Sequence, residues 1–77
     1  MAKQATTGQS LTRQERNMLR MAATGLINRE IASREGVSKR TVDFHLYNTY
    51  EKLGVSNRIQ AINIARSRGL LEISAAA

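Results

Sequence analysis

The sequence predicts an all-α domain of four helices, and three observations carry that prediction. The chain of 77 residues contains no proline. Gly25, Gly36, Gly54 and Gly69 fall at intervals that suit helix stops, not a phosphate-cradling loop. The apolar residues, 42% of the chain, are nearly all aliphatic, with one Phe, two Tyr and no Trp. Such a core suits helices packed on helices. It is also small, so a stability on the order of a few kcal/mol is expected.

Residues 1–10 are polar and read as a flexible tail or linker end. The first helix begins at Thr12, where Thr12-Arg13-Gln14-Glu15 has the form of a capping box. Met18, Leu19, Ala22 and Ala23 share one face of it, and Gly25 closes it. The second helix spans about Asn28 to Glu35, with Ile31 and Ala32 turned to the core. Gly36 supplies the bend and Val37 plugs it. Ser38 caps the third helix, which runs to Leu53 and stops at Gly54. Ser56 is read as the cap of the fourth, which ends near Gly69. Leu70, Leu71 and Ile73 are expected to fold back on the core. The ordered domain is thus placed at 11–73, with 74–77 frayed.

Charge narrows the function classes. Twelve Lys and Arg against six Asp and Glu give a net charge of +6. That favours a polyanion, nucleic acid before anionic membrane. With no cysteine there is no disulfide framework, zinc ribbon or thiol chemistry. No apolar run approaches the roughly 20 residues that span a bilayer, and the N-terminus lacks the apolar stretch of a secretory signal. A cytoplasmic location is therefore expected. His45 is the single histidine, with no other ligand-type residues at metal spacing. No metal or other cofactor is expected, and the imidazole should pack or touch phosphate. Nothing has the form of a nucleophile–base pair, a P-loop or a paired-carboxylate site. An enzyme is not expected, nor a small-molecule ligand within this chain.

The stretch from Asn28 to Leu53 reads as a helix-turn-helix, in which the second helix of the pair enters the major groove of double-stranded DNA. At about 100° per residue, Val42, Leu46, Thr49 and Leu53 form the core stripe of the third helix. Arg40, Asp43, Phe44, Tyr47 and Glu51 fall on the other side. Two outward aromatics suggest groove contact, with Phe44 against thymine methyls and Tyr47 on a base edge or phosphate. The alternative is that Phe44 packs on a neighbouring element. Lys39, Arg40 and Thr41 stand at the helix N-terminus, where free amides and the dipole favour phosphate. Lys52 is a weaker phosphate candidate further along. Asp43 either accepts from cytosine N4 or pairs locally with Lys39 or Arg40. On the fourth helix, Ala61, Ile62 and Ala65 belong to the core. Ile59, Asn63 and Arg66 line another side at i, i+4, i+7, as a dimer contact or with Ile59 covering the end of the first helix.

Several motifs then combine. Leu11-Thr12-x-x-Glu15, Gly25-Leu26-x-Asn28-x-Glu30-Ile31-Ala32, Val37-Ser38-x-x-Thr41-Val42-x-x-His45 and Lys52-Leu53-Gly54-Val55-x-x-Arg58-x-x-Ala61 resemble the LuxR/FixJ (GerE-type) DNA-binding domain over residues 11 to about 71. Thr41 to Leu46 looks closest to the quorum-sensing members. The resemblance implies a four-helix domain whose middle two helices are the helix-turn-helix. It also implies a dimer on a roughly two-fold symmetric site, with the fourth helix at the dimer contact. Family base contacts cluster at the positions matched by Asp43, Phe44 and Tyr47. Many members carry Lys or Arg at the first and last of these, so no operator sequence is inherited. Two further departures matter. Ile27 stands where Ser or Thr usually caps the second helix, so the cap is lost or slips to Asn28. Glu35 stands where Leu is usual, and a carboxylate there must reach solvent or a basic neighbour.

The expected function is sequence-specific DNA binding in transcriptional regulation, with a second copy of the chain as partner on DNA and RNA polymerase as a further candidate. A sigma-factor-like promoter-contacting domain and a helical protein-interaction module with an incidental basic face are the alternatives.

Overall fold

Three of the four helices begin where a side-chain oxygen meets a free amide. In chain order they are α1 (Arg13–Ala23), α2 (Asn28–Glu35), α3 (Lys39–Leu53) and α4 (Arg58–Ser67). The computed structural model describes residues 11–71, and among these there is no strand. The expected tail at 1–10, the packing of Ile73 and the frayed end at 74–77 lie outside the described residues.

At α1, Thr12 Oγ1 accepts from the Glu15 amide at 3.0 Å and Glu15 Oε1 accepts from the Thr12 amide at 2.9 Å. The expected capping box is therefore closed in both directions. At α3, Ser38 Oγ accepts from the Thr41 amide at 3.1 Å. At α4 the cap is one residue later than expected. Asn57 Oδ1, not Ser56, accepts from the Gln60 amide at 2.9 Å. Asn caps at least as well as Ser, and this start lets Gln60 Oε1 accept from the Ser56 amide at 3.0 Å.

The exception is α2. Ile27 occupies its cap position and has no side-chain acceptor to offer. Only half a box remains, in which Glu30 Oε1 accepts from the Ile27 amide at 2.9 Å. The cap does not slip to Asn28, which is the first helical residue and turns its amide elsewhere. Ile27 is 54% exposed, so little packing offsets the missing oxygen. Ile27→Ser is expected to stabilise the domain by about 1 kcal/mol, raising the melting temperature by roughly 4–8 °C in a chain of this size. A thermal melt that is unchanged or lower would show that the half-exposed side chain contributes as much as a cap.

Two glycines close helices as the sequence requires. Gly36 ends α2 at φ 70° and Gly54 ends α3 at φ 72°. Both lie in the left-handed region, where a Cβ is penalised.

The apolar residues gather into two clusters. One holds Met18, Ala22, Ile31, Ala32, Val42 and Leu46, with Val37 packed against it. It fixes α2 and α3 on α1. The other holds Leu11, Leu19, Leu53, Ala61, Ala65 and Leu71, with Ile62 and Leu70 alongside. It fixes α4 and the returning chain on α1 and α3. Tyr50 packs against both. The expected core stripe of α3 is buried throughout. Its one polar member, Thr49, is fully buried and donates its hydroxyl to the His45 carbonyl at 2.8 Å. That bond removes the cost of a buried unpaired hydroxyl.

Glu35 is half-buried and reaches a neutral partner: its Oε2 accepts from Asn17 Nδ2 at 3.1 Å. Of the two expected outcomes, solvent or a basic neighbour, the carboxylate keeps partial contact with solvent, and a neutral amide donor takes the place of a cation.

Candidate nucleic-acid interface

α3 is the longest of the described helices, with 15 residues. Packing decides its orientation. With Val42, Leu46, Thr49 and Leu53 buried, the opposite side must face outward. Phe44 is 60% exposed and Tyr47 61% exposed. Phe44 is therefore not core, and its ring lies T-shaped to that of its helix neighbour His45, with centroids 5.8 Å apart at 63°. An exposed aromatic pair on one helix face is costly in water and calls for a partner.

The cations at the start of α3 differ from one another. Lys39 and Arg40 are both exposed. Lys39 Nζ lies 2.9 Å from Asp43 Oδ2, an i,i+4 pair. Of the two partners expected for Asp43, the structure shows Lys39. Thr41 is half-buried, with its hydroxyl 3.0 Å from that of Ser38.

Asp43 has a second partner that the sequence did not suggest. Its Oδ1 accepts from Asn28 Nδ2 at 2.6 Å. The bonds from Asn28 and then from Lys39 hold its carboxyl below the ordinary value of 3.8. Asn28 in turn accepts from Arg58 Nη2 at 3.1 Å through Oδ1. Arg58 also donates to the Leu26 carbonyl through both terminal nitrogens, at 3.2 and 3.1 Å.

Lys52 is a correction. It was expected to reach phosphate, but its ammonium lies 2.8 Å from Glu15 Oε1, with only 20% of the lysine side chain exposed and 5% of the glutamate. The pair joins α3 to α1. Lys52 is a core-margin cation whose charge is already paired within the fold, which argues against a phosphate contact. Glu15 was read only as a cap, because its partner is far away in sequence. Burial pushes its carboxyl up, but the bonds from Lys52 and Thr12 and the lysine charge outweigh burial and hold it below the ordinary 4.5.

On α4, Ala61 and Ala65 are buried and Ile62 packs beside them, as expected. Ile59 is 69% exposed, so it does not cover the end of α1. Asn63 and Arg66 are exposed with it. Among the described residues no group of three or more His, Cys, Asp or Glu is placed to hold a metal. No described helix is long and apolar enough to cross a membrane.

A short helix-turn-helix, packed on a third helix and presenting a basic, aromatic outer face, defines a class of regulatory module rather than a catalytic one. The family profile described as "Bacterial regulatory proteins, luxR family" matches residues 9–65, and the chain belongs to that family. It is similar to the probable transcriptional regulatory protein SgaR of Hyphomicrobium methylovorum, with 52% identity over 54 residues, covering 70% of this chain and 26% of that protein. It is also similar to the transcriptional activator protein AnoR of Acinetobacter nosocomialis, with 48% identity over 61 residues, covering 79% of this chain and 26% of that protein. Among solved structures, the response regulator ChrA of a heme-sensing two-component system superposes with a TM-score of 0.79 at 41% identity, covering 82% of this chain and 31% of that one. The chain thus spans about a quarter of the length of these two curated relatives.

Proposed function

We propose that the chain binds double-stranded DNA sequence-specifically to regulate transcription, with α3 lying in the major groove. The observation that carries this reading is the outer face of α3, where Phe44 and Tyr47 stand exposed behind Lys39 and Arg40. The cations and the free amides of the helix start suit phosphate oxygens. In this placement the rings and Asp43 face the base edges. The names of the similar regulators support the same function for this chain. The deciding experiment is selection of sites from random duplex DNA. Enrichment of a two-fold symmetric consensus supports specific readout by a dimer, and no enrichment removes the proposal.

Lys39 and Arg40 act on phosphates in this reading. The double variant Lys39→Ala/Arg40→Ala should weaken binding to all sequences and lower the salt slope by about 2, one for each contact. Arg40 should account for more of the affinity, because Lys39 must first leave Asp43. Unchanged salt dependence would refute the assignment, and would favour a protein-interaction module with an incidental basic face.

The dimer forms through Ile59, Asn63 and Arg66. One isoleucine beside two polar side chains offers too little apolar area for a stable dimer in free solution. Adjacent half-sites on DNA raise the effective concentration and make the contact significant. Ile59→Asp should abolish cooperative binding to a two-half-site duplex and leave single-site affinity and fold intact. Full cooperativity in this variant would exclude the α4 contact.

A further inference from the structure

Arg58, Asn28, Asp43 and Lys39 form one hydrogen-bonded row that runs from the start of α4, past the start of α2, to the outer face of α3. The donor and acceptor chemistry of this row is restrictive. A guanidinium can only donate and an ionised carboxylate can only accept. The residue between them must accept on one side and donate on the other. A neutral amide does both: Asn28 turns Oδ1 to Arg58 and Nδ2 to Asp43. Its orientation is thereby fixed by its neighbours. Arg58 is itself anchored by its two bonds to the Leu26 carbonyl.

We propose that Asn28 is a specificity-determining positioning residue, which holds the Asp43 carboxylate in the orientation from which it meets a base pair, without itself touching a base. The inference rests on the proposed placement of α3 in the major groove. Asp43 remains 45% exposed at its side chain, and Asn28 holds its Oδ1 by a bond that persists when Lys39 leaves Oδ2 for phosphate. Each carboxylate oxygen has a second lone pair, so the held group still accepts from the amino group of cytosine or adenine. The same fixed charge disfavours the acceptor edge of guanine. A freely rotating aspartate could turn into solvent and relax both effects. Arg58 acts one step further back, by fixing the amide of Asn28.

The test separates this role from simple support of the fold. Asn28→Asp keeps an acceptor for Arg58 and places an acid in the first turn of α2, where the helix dipole favours it. It also sets a carboxylate against Asp43. The chain is first used to select its DNA site. Asp43→Ala and Tyr47→Ala then identify the base pair at which each side chain discriminates. Dissociation constants are measured on duplexes varied singly at those two pairs, with a thermal melt of each protein. The expected result is that Asn28→Asp melts no lower than the native chain but loses about ten-fold in preference at the Asp43 pair. Its preference at the Tyr47 pair is unchanged. Asn28→Ala shows the same selective loss, and adding it to Asp43→Ala costs no further preference. The inference is overturned if both Asn28 variants keep the native preference at a pair where Asp43→Ala has lost it. It is overturned equally if they lose preference at both pairs alike, which is the signature of general loosening. If Asp43→Ala changes no preference anywhere, base reading by Asp43 is itself wrong and the inference falls with it. That pattern is distinct from the other two.

Discussion

Lys52→Ala is expected to destabilise the domain by about 3 kcal/mol, toward the low end for breaking a buried pair because one-fifth of the lysine side chain meets water. The loss arises less from the bond than from what remains. Glu15 is 4% exposed, and without the ammonium its charge is left with no opposite charge and only the Thr12 amide as donor. In a domain of this size that is a large share of the total stability. The pH dependence follows from the sign of the shift. The Glu15 carboxyl is held below its ordinary 4.5 in the folded chain. Its contribution is therefore complete above that value and is lost as the pH falls through the lower, folded value. Denaturant melts of the native chain should weaken over this acidic range, and those of Lys52→Ala should be flatter across it. A variant as stable as the native chain, with an unchanged pH profile, would show that the carboxylate finds water instead.

Phe44→Ala and Tyr47→Ala are expected to remove roughly 1–3 kcal/mol of discrimination, each at its own base pair. Neither should lower the melting temperature appreciably, because Phe44 and Tyr47 are 60% and 61% exposed and belong to neither apolar cluster. Dissociation constants across a panel of single base-pair variants check the first expectation, and a thermal melt the second. Uniform weakening on every duplex would mean that the rings rest on the sugar wall and supply affinity without readout.

These two expectations divide what was legible in the sequence from what was not. The outer face of α3 was legible because a regular helix turns period into direction. Once Val42, Leu46 and Thr49 are core, Phe44 and Tyr47 have nowhere to go but out. The boundaries were legible where one local signal stood alone, as at Thr12, Ser38, Gly36 and Gly54. They were not where two capping residues adjoin, as at Ser56 and Asn57. The local pair of Lys39 with Asp43 was within reach of helix spacing, but side-chain interactions between elements were not. Lys52 sits near the edge of the helix wheel, and its four-carbon stem lets it turn inward to an acid 37 residues away. Asn28 was read as a helix start, and only the fold brings it between Arg58 and Asp43. Charge composition alone could not reveal that Lys52 is already paired.

The sharing of α1 between the two apolar clusters bears on how far this unit can be moved. The segment Asn28 to Leu53 contains both helices of the helix-turn-helix, yet it supplies only Ile31, Ala32, Val42 and Leu46 to the cluster that sets their angle. Met18 and Ala22 come from outside it. Cut free, the two helices would keep their turn and lose the surface that holds them apart. Transplanting α3 into another scaffold therefore means carrying its whole chassis. The smallest graft that keeps the reading face at its native tilt begins at Leu11, under the second cluster, and ends at Leu71.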